Sequence, residues 1–153
     1  MTQEHIMKKR MIRAVIFSIV TFVALLVFIG LYIDETRRVQ ETYRTQFIAN
    51  LNHAADSIDS YLSADGDKDL KYRRIISDMS CADNFAFLLD NLTEDQKINM
   101  NELTSCLLKY PQQMRQEKRL KALKETVINL QSNLDKGFEN ANAIVAEIDK
   151  KGF

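Results

Sequence analysis

The chain has 153 residues, 21 basic and 21 acidic, with no Trp, one Pro and four Gly. That length holds one membrane anchor and one domain of about 120 residues, and the scarcity of Gly and Pro excludes an all-β domain or a Gly-rich phosphate loop. The first 13 residues carry Lys8, Lys9, Arg10 and Arg13 against Glu4, so the remainder is net acidic, 17 basic to 20 acidic, which argues against nucleic-acid binding.

Residues 1–13 read as a short basic tail. Ala14 to Ile33 is an unbroken apolar run without charge or proline. Its ~20 residues rise ~30 Å as a helix, the thickness of a bilayer's hydrocarbon core. The run ends Val27-Phe28-Ile29-Gly30-Leu31; Phe28 stands where a cleaved signal peptide needs a small residue, so the run reads as a retained anchor. Four basic residues precede it, and Arg37, Arg38 and Arg44 follow among acidic ones. This asymmetry predicts a cytosolic N-terminus in the plasma (inner) membrane and an extracytoplasmic domain over 34–153. Ala14, Ser18, Thr21 and Ala24 are small residues of the kind that let spans approach, which leaves a homodimer open.

Beyond the span, Phe47, Leu51, Ala54, Ile58 and Tyr61 recur at alternating spacings of four and three. This is the apolar face of an amphipathic helix, and nothing separates it from the span. Ser63 to Asp67 is turn chemistry, with Asp65 or Asp67 as a cap for the next helix. That second helix carries Leu70, Ile75, Ile76, Met79, Cys81, Phe85 and Leu88, with a polar stretch from Ser80 to Asn84 that is a candidate break. Thr93 and Gln96 spell a capping box for a third helix carrying Met100, Leu103 and Leu107. Pro111 ends that helix or opens the next. A fourth helix, about 112–150, has a heptad seam of Leu120, Leu123, Val127, Leu130, Leu134, Gly137, Ala141, Ile144 and Ile148. The expected fold is all-α: one transmembrane helix, then an antiparallel, coiled-coil-like bundle of four helices. The seam is the candidate interaction surface.

Cys81 lies twelve residues before Thr93 and Cys106 thirteen after it. If the turn centres between Thr93 and Glu94, an antiparallel pair sets both at one height. A disulfide there closes a loop of about 25 residues and stabilises by about 3 kcal/mol, and it agrees with an oxidising, extracytoplasmic compartment.

The remaining motifs are weak. Asp65, Asp67 and Asp69 open like a calcium loop, but Leu70 and Ile76 stand where the EF-hand needs Gly and Glu. His53 has only Asp56 nearby, too few ligands for a metal. Arg115, Lys118, Arg119, Lys121 and Lys124 are interrupted by Glu117 and Glu125 and read as a solvated helix face. Asn91-Leu92-Thr93 is a glycosylation sequon, relevant only in a eukaryotic secretory pathway. Neither a catalytic constellation nor a metal or cofactor motif emerges. The expected function is that of a non-enzymatic scaffold or interaction subunit working with the lipid bilayer and other membrane or envelope proteins. The alternative is an extracytoplasmic sensor that signals through a partner.

Overall fold

The computed structural model describes residues 3–63 and 66–148, which form six helices and no strand. They are α1 (Gln3–Leu62), α2 (Lys68–Leu88), α3 (Glu94–Lys109), α4 (Pro111–Met114), α5 (Glu117–Ser132) and α6 (Leu134–Ala146). The chain divides into two units, residues 1–39 and 40–153.

The first unit is a helical stretch long and apolar enough to cross a membrane, with none of its most apolar window buried. Two of its hydroxyls are satisfied along the helix itself: Thr21 Oγ1 donates to the Phe17 carbonyl and Thr36 Oγ1 to that of Tyr32, each at 2.9 Å. A hydroxyl bonded to the preceding turn needs no water, so Thr21 is compatible with an apolar solvent.

The second unit closes a core of its own. From α1 it takes Phe47, Leu51, Ala54 and Ile58, the residues whose spacing predicts them. Against these lie Tyr72, Ile75, Met79, Ala82 and Ala86 of α2. The contacts run in opposite order along the two helices: Tyr43 beside Phe85, Ser57 bonded to Asp78, and Tyr61 edge-on to Tyr72. Helix α2 packs on α3, α3 on α6, and α5 most extensively on α6.

The caps follow local chemistry. Asp67 accepts from the Asp69 and Leu70 amides, while Asp65 lies outside the described residues. Thr93 and Gln96 make both bonds of the capping box. Pro111 stands at the start of α4, where its missing N–H costs nothing. Helix α2 runs unbroken through Ser80 to Asn84. Alanines 82 and 86 occupy the buried stripe there, so the polar residues fall on the outer faces.

Two expectations are corrected. The fourth helix is three helices, α4, α5 and α6. Asn133 is extended (φ −148°, ψ 96°), and its side chain accepts from the Lys136 amide to cap α6. Asn favours caps over helix interiors because its short amide competes for backbone bonds. The heptad seam therefore folds back on itself: Leu120, Leu123, Val127, Leu130, Gly137, Ala141, Ile144 and Ile148 are all buried, with Leu134 half-buried. Its residues fill the unit's own core and are not an outward surface.

The disulfide is the second correction. Cys81 and Cys106 are thiols, with Cys81 exposed and Cys106 buried. The α2–α3 turn lies between the caps Leu89 and Thr93, and the cross-helix contacts Asp83–Asn101 and Phe87–Lys97 are both centred on position 92. At that register Cys81 stands opposite Leu103, three residues before Cys106. The two cysteines differ in height. They also differ in face, because Met79 and Ala82 take the buried stripe and rotate Cys81 outward.

Candidate functional site

Three features of the second unit gather polar chemistry. The first is a groove between α1 and α2, about 470 Å³, lined by His53, Asp56, Ser57, Ser60, Lys71, Arg74 and Asp78. Residues 53, 57 and 60 share one face of α1 at helical spacing, and residues 71, 74 and 78 share one face of α2. Ser57 Oγ donates to Asp78 Oδ2 at 2.6 Å, and Lys71 Nζ donates to the Ser60 carbonyl at 2.6 Å. The serine is thus bonded to a carboxylate, not to an imidazole that would activate it as a nucleophile. What the groove can do is bind. It offers cations from Lys71 and Arg74 beside carboxylates from Asp56 and Asp78.

The second is a polar latch at the start of α2. Tyr72 is buried, and its hydroxyl donates to the Leu107 carbonyl at 2.8 Å. Arg115 stacks over the Tyr72 ring at 4.5 Å and pairs with Asp69 at 2.7 Å. Burial drives the phenol's pKa far above its ordinary value, and the nearby guanidinium opposes that rise. The hydroxyl therefore stays a proton donor across the accessible pH range. Sequence periodicity misses Tyr72 because it marks Leu70 as the apolar position; Leu70 is exposed.

The third lies at the other end of α2. Gln40 uses both halves of its amide: Nε2 donates to the Leu88 carbonyl at 3.2 Å, and Oε1 accepts from the Asp90 amide at 3.0 Å. This caps the C-terminus of α2 from a different helix. Nearby, Asn101 Nδ2 donates to Asp83 Oδ2 at 3.0 Å. Partial burial raises the Asp83 pKa, and that bond partly offsets the rise.

The basic run of Arg115 to Lys124 is divided among separate partners. Arg115 holds Asp69, Lys121 holds Glu117 and Lys124 holds Asp59, while Arg119 donates to the Glu147 carbonyl at 3.1 Å. These contacts break up the cationic stripe that a polyanion needs. Asp67 is a cap and Asp69 an ion-pair partner, so these two carboxylates of the D-x-D-x-D run are likewise occupied within the fold. Glu117 is held below the usual carboxylate range by its hydrogen bond from Lys121.

Comparison with protein-family models, curated proteins and solved structures finds no match. The chain's function therefore has to be argued from its own residues.

In the first unit, Ala14, Ser18, Thr21 and Ala24 line a shallow apolar groove flanked by Phe17, Phe22 and Phe28. Its floor is made of the small residues that the sequence singles out.

Proposed function

We propose that this chain is a single-pass, membrane-anchored helical-bundle protein that serves as a non-enzymatic scaffold or interaction subunit of a membrane or envelope complex. Residues 14–33 are the span, residues 1–13 lie in the cytosol, and residues 34–153 form an extracytoplasmic domain at the plasma (inner) membrane. The observation that carries the reading is that the apolar stretch is uncovered while residues 40–153 fill a core without it. An exposed apolar helix of this length is stable only in lipid or against other apolar helices. The compact basic tail supports the orientation. The antiparallel order of the α1–α2 contacts supports a bundle.

Exposed Cys81 provides a test of orientation. A membrane-impermeant maleimide added to intact cells is expected to label it, and labelling only after lysis refutes the assignment. The scaffold role is tested by purifying the full chain from cross-linked membranes. Stoichiometric membrane or envelope proteins are expected alongside it. A chain that leaves the membrane in alkaline carbonate, or that purifies monomeric and partnerless from cross-linked membranes, refutes the reading.

The groove around Arg74 and Asp78 favours a sensor as the second reading. Its mixed charges suit a small zwitterionic or polar ligand. A sensor predicts thermal stabilisation of the chain by such a molecule, lost in Arg74→Ala. A scaffold predicts none.

A further inference from the structure

Most large apolar side chains of the second unit are in its core, but Phe87, Leu88 and Ile98 are 68%, 44% and 57% exposed. Phe87 and Leu88 end α2 between buried Ala86 and buried Leu89. Lys97 lies over the Phe87 ring at 5.6 Å, which brings Ile98, its neighbour on α3, to the same end of the unit. Leu88 is also the residue whose carbonyl Gln40 holds.

Gln40 is seven residues past Ile33, and the intervening chain is helical. Seven residues rise about 10 Å, and any tilt brings Gln40 closer to the membrane plane. The headgroup region adds roughly 5–8 Å outside each face of the hydrocarbon. Chain length alone therefore tethers the end of α2 next to the lipid headgroups.

We infer that the α2–α3 end of the folded unit docks on the bilayer surface through Phe87, Leu88 and Ile98. The inference rests on the proposed span at residues 14–33. Its occupant is the boundary between headgroups and acyl chains, where exposed aromatic and aliphatic side chains are buried. Charge does not drive the docking. Asp90, Glu94 and Asp95 stand exposed on the same turn, and Lys97, which lies over the Phe87 ring, is already paired with Glu94 at 3.2 Å. The contact is apolar insertion, and it needs no anionic lipid.

The test uses the full chain reconstituted in phosphatidylcholine vesicles that contain lipids spin-labelled both high and deep on the acyl chain. In a Cys81→Ser background, an environment-sensitive fluorophore is placed singly by Phe22→Cys, Leu88→Cys, Ile98→Cys or Leu70→Cys. Leu70 is the control, exposed at the opposite end of α2, about 27 Å away by helical rise. The labels at positions 22, 88 and 98 are expected to lose about half of their fluorescence or more, and that at 70 almost none. Replacing part of the phosphatidylcholine with phosphatidylglycerol is expected to leave the pattern unchanged. Quenching at 22 without quenching at 88 and 98 overturns the docking and leaves the span intact. That outcome also covers the case in which a protein, not lipid, occupies the patch. No quenching at 22 overturns both. Equal quenching at 70 and 88 overturns the assignment to this end of the unit, and quenching that appears only with phosphatidylglycerol overturns the apolar mechanism.

Discussion

Replacing Gly137 with alanine tests the close approach of α6 to α5. Gly137 is the fourth residue of α6, and a Cβ built there meets the Leu130 backbone nitrogen at 2.6 Å and Cα at 2.7 Å, with Leu130 Cδ2 at 2.8 Å. Carbon atoms in contact prefer about 3.5–4.0 Å, so α6 has to retreat from α5 by roughly 1 Å. Two of the three clashing atoms are backbone and cannot turn aside. The displacement disturbs Phe138, Ala141 and Ile144, which are buried on the same helix. Overpacking of this kind costs about 1–3 kcal/mol, and a backbone clash belongs at the upper end. Alanine regains about 1 kcal/mol of helix propensity. The expected net loss is about 1–2 kcal/mol, or a Tm lower by about 4–8 °C for a unit of this size. The assay is thermal unfolding of the full chain in detergent, followed by circular dichroism, with Glu139→Ala on the exposed face of α6 as control. If Gly137→Ala matches or exceeds the parent in Tm, the propensity gain is unopposed and the close α5–α6 approach is refuted.

Four further outcomes are expected. Tyr72→Phe removes a buried hydrogen bond and leaves the Leu107 carbonyl without it, costing about 1 kcal/mol in chemical unfolding; an unchanged midpoint argues against the latch. Thr93→Ala removes the capping box and costs about 1 kcal/mol, with partial recovery in Thr93→Ser. The folded pKa of Asp83 is raised, so the native state binds its proton more tightly than the unfolded chain does. Its contribution to stability is therefore lost as pH rises from the ordinary aspartate value of 3.8 through the folded value. The stability difference, parent minus Asp83→Asn, is expected to fall across that window, and a rise contradicts the assignment. Finally, mass spectrometry of the unreduced chain is expected to show one alkylating group taken up quickly, at exposed Cys81, and a second only on unfolding, at buried Cys106. A chain that takes up neither when unfolded carries the disulfide after all.

Local chemistry made much of the helical plan legible. A run without charge or proline marks the candidate span, because every backbone polar group in lipid has to be satisfied within its own segment. The spacing of Phe47, Leu51, Ala54 and Ile58 predicts the buried face of α1, since side chains three and four apart share one side of a helix. Thr93, Gln96, Asp67 and Pro111 predict helix starts, because caps are contacts between near neighbours in the chain. None of this needs a tertiary partner.

Function was much less legible, because the polar features of the candidate sites mostly join residues far apart in sequence. Tyr72 finds the Leu107 carbonyl, Gln40 finds Leu88 and Asp90, and Ser57 finds Asp78; no spacing rule connects these pairs. The basic run from Arg115 to Lys124 looks continuous in sequence, yet its partners come from α1, α2, α5 and the C-cap of α6.

What the sequence determined by itself, then, is helical content, the apolar run and the caps, all set by interactions over a few residues. Only the tertiary structure decided what the seam is for and where the thiols lie. The spacing of Leu120 to Ile148 states that one face is apolar, but not whether one long helix shows it to a partner or two short ones close it on each other. Asn133 and Gly137 settle that together. The first caps a new helix, and the second lets that helix approach the backbone of α5 too closely for any side chain. The register of Cys81 and Cys106 likewise depended on where the turn between two helices centres. Packing sets that centre, by burying Leu89 and Leu92 and leaving Asn91 outside.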